Sequence, residues 1–130
     1  MKVLALDYGS ARTGVAVSDP TGTLARPLGI VERAATEDGL AELRRLAREE
    51  EVERVVVGLP LTLRGERGEQ AVETERFAEA LRAAVGVPVE LYDERFTTDL
   101  AQQMGGTAPE DALAAAHLLT TYLEWCAARS

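Results

Sequence analysis

The run Val3-Leu4-Ala5-Leu6 is continuously apolar and ends in Asp7, and a second run, Val15-Ala16-Val17, follows across a short polar connection rich in glycine. Two such runs around a short connection predict a β-hairpin. A strand without polar alternation is buried on both faces, so Val3 to Leu6 belongs in the middle of a sheet and constrains whatever is placed around it. The carboxylate at its end is the costly part. Burying an aspartate there requires a cation or several hydrogen-bond donors to compensate it. Two readings stand side by side: a divalent cation held at Asp7, or an aspartate that caps the turn with its own side chain.

Composition narrows the choice of partner. At 130 residues the chain has the length of one domain with a core of its own, so residues 1–130 read as a single domain. A hydrophobic fraction of 46% and a charged fraction of 28% are ordinary for a globular protein, and no apolar run approaches the ~18 residues of a membrane span. The chain enters its first strand without a basic segment and an apolar leader, which predicts a cytoplasmic protein. A single cysteine, Cys126, and a single histidine, His117, exclude an internal disulfide and a cysteine–histidine zinc site. Any metal must therefore take oxygen ligands, which favours magnesium or manganese. The net charge of −8 argues against a protein that coats nucleic acid by bulk electrostatics. It is compatible with a nuclease, whose metal-holding carboxylates count as negative until the ions are bound.

The remaining elements follow in order. Thr23 to Val31, interrupted by Pro27, suits an edge strand. From Thr36 to about Glu51, Leu40, Leu43, Leu46 and Ala47 recur at helical spacing, with charged residues on the other face. Arg54 to Pro60 reads as a buried parallel strand. A loop leads into a helix from about Glu69 to Val85 with Val72, Phe77, Ala80, Leu81 and Ala84 as its expected buried stripe. Val87 to Tyr92 makes a fifth strand, followed by Asp93-Glu94-Arg95-Phe96-Thr97-Thr98 and a short helical stretch with Thr97 or Thr98 at its N-cap. After Gly105-Gly106, the sequence Thr107-Ala108-Pro109-Glu110 has the form of a capping box, and a last helix is expected from about Ala108 to Ala127.

Three strands that can form a meander, then strands joined by helical crossovers, define a mixed α/β sheet. Ligands of such sheets sit at the carboxyl ends of the parallel strands. Asp7, Gly58-Leu59-Pro60 and Asp93-Glu94 all fall at strand ends, and Asp111 joins them if the last helix lays its Ala114, Ala115 and Leu118 face on the sheet. Carboxylates meeting at one pocket are what two metal ions need to hold a phosphodiester and activate a water.

These residues also carry a resemblance. Leu6-Asp7-Tyr8-Gly9 with Gly14-Val15-Ala16-Val17-Ser18, Val57-Gly58-Leu59-Pro60-Leu61, Asp93-Glu94-Arg95-Phe96-Thr97-Thr98 and Asp111-Ala112-Leu113-Ala114-Ala115, in that order, resemble the YqgF family across essentially the whole chain. That resemblance implies a ribonuclease H-like fold: a mixed five-stranded sheet, three antiparallel strands then two parallel strands by helical crossovers, flanked by helices. It implies a nuclease with Asp7, Glu94 and Asp111 as catalytic and metal-holding acids for two Mg2+ or Mn2+ ions. Its expected task is 5′-end processing of the 16S rRNA precursor during ribosome biogenesis. Resolution of four-way Holliday junctions in DNA is the alternative, and a junction resolvase normally acts as a two-fold dimer. Monomer and homodimer both stay open.

Within that frame Arg12, Arg64, Arg67 and Arg95, with Thr62, are candidates to meet the substrate, since guanidinium groups pair well with phosphate. A solvated-loop role for Arg64 and Arg67 is an equal reading. Asp93 points away from Glu94 by strand alternation and reads as a strand-end carboxylate, Glu110 as a capping residue, His117 as a packed structural histidine and Cys126 as incidental. Between Thr98 and Asp111 the chain lacks the longer basic segment common in relatives. Two further functional classes remain at this stage: a non-catalytic nucleic-acid-binding module, and an ATPase of the actin and sugar-kinase type with Asp7-Tyr8-Gly9-Ser10 and Gly14 as its phosphate loop. The second needs two such domains around the nucleotide.

Overall fold

The computed structural model describes residues 1–60, 65–93 and 110–129. The described elements are β1 (Val3–Asp7), β2 (Arg12–Ser18), β3 (Ala25–Glu32), α1 (Glu37–Glu49), β4 (Arg54–Leu59), α2 (Glu69–Ala84), β5 (Val89–Asp93) and α3 (Glu110–Ala128). The strands form one sheet in the order β3-β2-β1-β4-β5. The pairs β1–β2 and β2–β3 are antiparallel, and the pairs β1–β4 and β4–β5 are parallel. The mixed sheet expected from the sequence is therefore present. Val3 to Leu6 are fully buried, and β1 is the central strand.

Strand alternation sorts the side chains onto two faces. Leu4, Leu6, Val15, Val17, Val55 and Val57 pack with Leu43 of α1 and Phe77 and Leu81 of α2. Val3, Ala5, Ala16 and Val56 pack with Ala115, Ala116, Leu118, Leu119, Tyr122 and Leu123 of α3. Alanines on both sides of this second layer remove side-chain bulk and let the helix lie close to the sheet. Asp7 continues the Val3–Ala5 series and so ends on the α3 face.

β3 occupies one edge, as Pro27 requires, though it starts at Ala25 rather than at Thr23. Thr23 is taken by the turn: its backbone N–H and that of Leu24 both donate to Asp19 Oδ1 at 2.9 Å. A bulge opposite Val15 and Ala16 places Leu28 outside the pairing, and with Pro27 it breaks the regularity of this edge. Helix α1 starts as expected, with Thr36 Oγ1 accepting from Gly39 N at 3.2 Å. Arg45 pairs with Glu42 and with Glu49 along its exposed side.

On helix α2 Phe77 and Leu81 are buried as expected, but the rest of the stripe is rotated. Its buried residues are Ala71, Thr74, Phe77, Ala78 and Leu81, whereas Val72, Ala80 and Ala84 are half-buried. The polarity of Thr74 hid this stripe in the sequence. Its hydroxyl donates to Gln70 O at 2.8 Å, which satisfies it inside the core. Strand β5 begins at Val89, beyond the expected Val87: Pro88 has no N–H to donate to a ladder, and its carbonyl accepts from Val55 N at 2.9 Å. Helix α3 runs to Ala128, and its buried face includes Ala112, Ala115 and Leu118, while Ala114 is half-buried. The expected short helix after Asp93 and the capping box at 107–109 lie outside the described residues.

Candidate active site

The acidic site is built on a missing side chain. Gly14 in β2 lies directly opposite Asp7 in β1. A Cβ on Gly14 would stand 1.8 Å from the backbone oxygen of Asp111 and 3.0 Å from Ala112 N, so only glycine allows the first turn of α3 to rest on the strand there. That contact brings Asp111 beside Asp7, as required by the idea that the last helix docks on the sheet. Gly14 thus has a packing role here. The signal was present in the sequence, since a glycine inside an otherwise apolar strand often marks a close backbone approach.

The charge of Asp111 disturbs Asp7. Asp7 is pushed up to about 6, first by burial and then by the negative charge of Asp111. Arg12, at the start of β2, offsets part of that charge: its Nε lies 3.5 Å from Asp111 Oδ2, in a pair with both side chains more than a third exposed. Such an exposed pair is worth at most about 1 kcal/mol. Half-buried Asp7 and partnered Asp111 therefore carry a surplus of negative charge at neutral pH. A cation would relieve it, and two aspartate carboxylates are the hard oxygen ligands that magnesium or manganese takes.

Among the described residues no group of three or more Asp, Glu, His or Cys side chains is placed to hold a metal. The third expected acid, Glu94, lies outside the described residues, as do Thr62, Arg64 and Arg95. Asp93 ends β5 opposite Leu59, and alternation puts it on the face away from Asp7, consistent with a strand-end role. Arg67 pairs with α2, its Nε donating to Glu75 Oε1 at 2.9 Å. His117 is buried on α3, and burial lowers its pKa. Cys126 is half-buried near the end of α3.

Tyr8 was missed by reasoning from sequence. It points to the other face from Asp7 and stacks on Phe77 of α2, with ring centroids 4.3 Å apart and an interplanar angle of 16°. Its hydroxyl donates to Glu73 Oε1 at 3.3 Å, and burial followed by the Glu73 charge raises its pKa. The residue next to Asp7 is thereby anchored to α2 while Asp7 faces α3. An aromatic directly after a strand-end aspartate was the available clue.

A central strand ending in one acid, met by a second acid from the first turn of the last helix, is accompanied by a fold shared with known resolvases. Thermus thermophilus RuvC, solved in complex with a Holliday junction substrate, aligns with a TM-score of 0.64 and 22% identity over 100% of this chain and 98% of that one. The fowlpox virus resolvase, solved with Holliday junction DNA, aligns at 0.57 and 13% identity over 97% of this chain and 99% of that one. The fold is ribonuclease H-like, as the sequence resemblance implied. The chain belongs to the RuvX, or YqgF, family: the family profile, described as Holliday junction resolvase, matches residues 1–125. A relative from Chloroflexus aurantiacus is 45% identical over 94% of this chain and 86% of its own length. One from Rubrobacter xylanophilus is 48% identical over 95% and 92%. Both are named as proposed pre-16S rRNA nucleases. Among the described residues no helix is long and apolar enough to cross a membrane.

Proposed function

We propose that this protein is a divalent-metal-dependent nuclease whose residues 1–130 act as one domain, and that its substrate is the 5′ leader of the 16S rRNA precursor in the cytoplasm. The observation that carries the reading is the half-buried, raised Asp7 beside Asp111, held together by the seat at Gly14. Asp7 and Asp111 would hold the cation, Mg2+ or Mn2+, with Glu94 as the proposed third acid. The cation supplies Lewis acidity toward the phosphodiester and the attacking water. The chain's own part is to seat Asp7 where it can still ionise at neutral pH despite its raised pKa, to aim Asp111 from the helix end, and to present the exposed guanidinium of Arg12 at the rim, where a phosphate can replace its contact with Asp111. Arg64, Arg95 and Thr62 are proposed to extend this rim. The names of the relatives support RNA as substrate.

Holliday-junction resolution is the second reading, supported by the family description and by the fold shared with RuvC. It requires a two-fold dimer with paired sites, whereas leader trimming can be done by one subunit. The deciding experiment is cleavage of a labelled single-stranded leader RNA, with a four-way DNA junction in parallel, by wild type and Asp7→Asn in Mg2+ or Mn2+. RNA cutting that requires both metal and Asp7 supports the first reading. Symmetric junction cutting without RNA cutting supports the second. Cutting of neither substrate refutes both and leaves a non-catalytic nucleic-acid-binding module.

A further inference from the structure

A second feature lies on the α3 face, away from the acids. A cavity of about 390 Å3 is bounded by Arg54, Glu90, Trp125, Cys126 and Arg129. Trp125, the only tryptophan of the chain, is 38% exposed there. The Arg129 guanidinium carbon stands 4.3 Å from its ring centroid, and Arg129 has no carboxylate partner among the described residues. Tyr122 Oη donates to Glu90 Oε1 at 2.9 Å and accepts from Arg54 Nη1 at 2.9 Å, which locks the cavity floor to β4 and β5. Two guanidinium groups and one carboxylate line this spot in a chain of net charge −8, while Asp93 and Glu124 lie near Tyr92.

Register connects the cavity to the acids. Leu6 pairs with Val57, so Gly58 is level with Asp7, and Gly58 pairs with Tyr92. Tyr92 therefore lies on the same face as Asp7, two strands away, at about 10 Å by the usual strand spacing. Gly58 places no side chain between them. From Tyr92 the aromatic surface continues, with its ring centroid 5.5 Å from Tyr122 and 5.7 Å from Trp125.

Aromatic faces combined with a guanidinium bind unstacked bases and their phosphates, and bases inside a duplex cannot reach such a surface. We propose that the Trp125–Arg129 cavity is a stacking subsite for a base in the single-stranded flank of the nucleic acid cut at Asp7, reached along Tyr92. The indole stacks on the base, and Arg129 shifts from the ring to the adjacent phosphate. The proposal rests on the nuclease reading and narrows its substrate class to strands that are unpaired beside the cut.

Because Trp125 is the only tryptophan, its fluorescence reads the subsite directly. The full-length Asp7→Asn protein is titrated with a short oligouridylate, with a base-free ribose-phosphate strand of equal length, and with a duplex. Quenching by the oligouridylate alone is expected. In a binding assay with a labelled strand, Trp125→Leu and Arg129→Ala each weaken affinity, the former by about tenfold, and Trp125→Phe restores most of it. Equal quenching by the base-free strand or the duplex overturns the subsite, as does unchanged binding by a folded Trp125→Leu. The two proposals fail separately. Base-dependent quenching by a protein that cuts nothing sinks the nuclease and keeps the subsite, whereas metal-dependent cutting without such quenching does the reverse.

Discussion

Replacing Asp7 by asparagine should stabilise the protein while abolishing its cutting. The folded Asp7 is raised from 3.8 to about 6, so the folded state holds its proton more tightly than the unfolded chain does. For a carboxylate shifted in this direction, native stability is greatest below the unfolded value, falls as pH rises from 3.8 to about 6, and stays reduced above that. At roughly 1.4 kcal/mol per pKa unit the rise corresponds to about 3 kcal/mol of instability at about pH 8. Unfolding entropy of roughly 2.1 cal/mol/K per residue gives about 0.27 kcal/mol/K for a chain of this length, so Asp7→Asn should raise Tm by up to about 10 °C near pH 8. Near pH 4 the gain should almost vanish, because the wild-type folded side chain is already protonated. Thermal unfolding followed by circular dichroism, in chelator and at both pH values, measures this. Adding Mg2+ should recover much of the difference for wild type and little for the variant, since ligand binding to the native state alone stabilises it. Equal or lower stability of Asp7→Asn at pH 8, or a gain that persists unchanged at pH 4, would refute the account of Asp7 as a half-buried carboxylate strained by its neighbour.

Gly14→Ala must displace the first turn of α3, since its Cβ would lie 1.8 Å from a backbone oxygen. A loss of about 3 kcal/mol or more in urea denaturation is expected, with Mg2+ stabilisation reduced in parallel. Arg12→Ala frees Asp111 from a competing cation, so calorimetry should show divalent affinity rising up to about fivefold while affinity for the nucleic acid falls; weaker metal binding would contradict the charge-surplus argument. Tyr8→Phe keeps the stack on Phe77 and loses one long hydrogen bond, costing under about 1 kcal/mol. Tyr8→Ala loses the stack as well, and chemical denaturation should show a cost of about 3 kcal/mol or more.

The continuous apolarity of Val3 to Leu6 identified the central strand, Pro27 the edge strand, and Thr36 the start of α1, because each of these signals acts over a few residues. The phase of α2 was not legible. A polar Thr74 can be buried once Gln70 accepts its hydroxyl, and an apolar Val72 can stay half-buried, so residue type alone pointed one position off. The partner of Arg67 was not legible either, since Glu75 lies two turns into the following helix and competes with phosphate only through its geometry.

For the site, the chain by itself determined which residues can do acid chemistry and where each sits within its own element: Asp7 at a strand end, Asp111 in a helix's first turn, oxygen ligands in place of zinc ligands. These follow from residue chemistry and local periodicity. The tertiary structure alone decided that the two acids meet. That depends on an absence, the missing side chain at Gly14, and on the alanine-lined approach of α3 to the sheet. It also decided that Asp7 pays for the meeting with a raised pKa, because burial and the Asp111 charge come from elements distant in sequence and act only once packed.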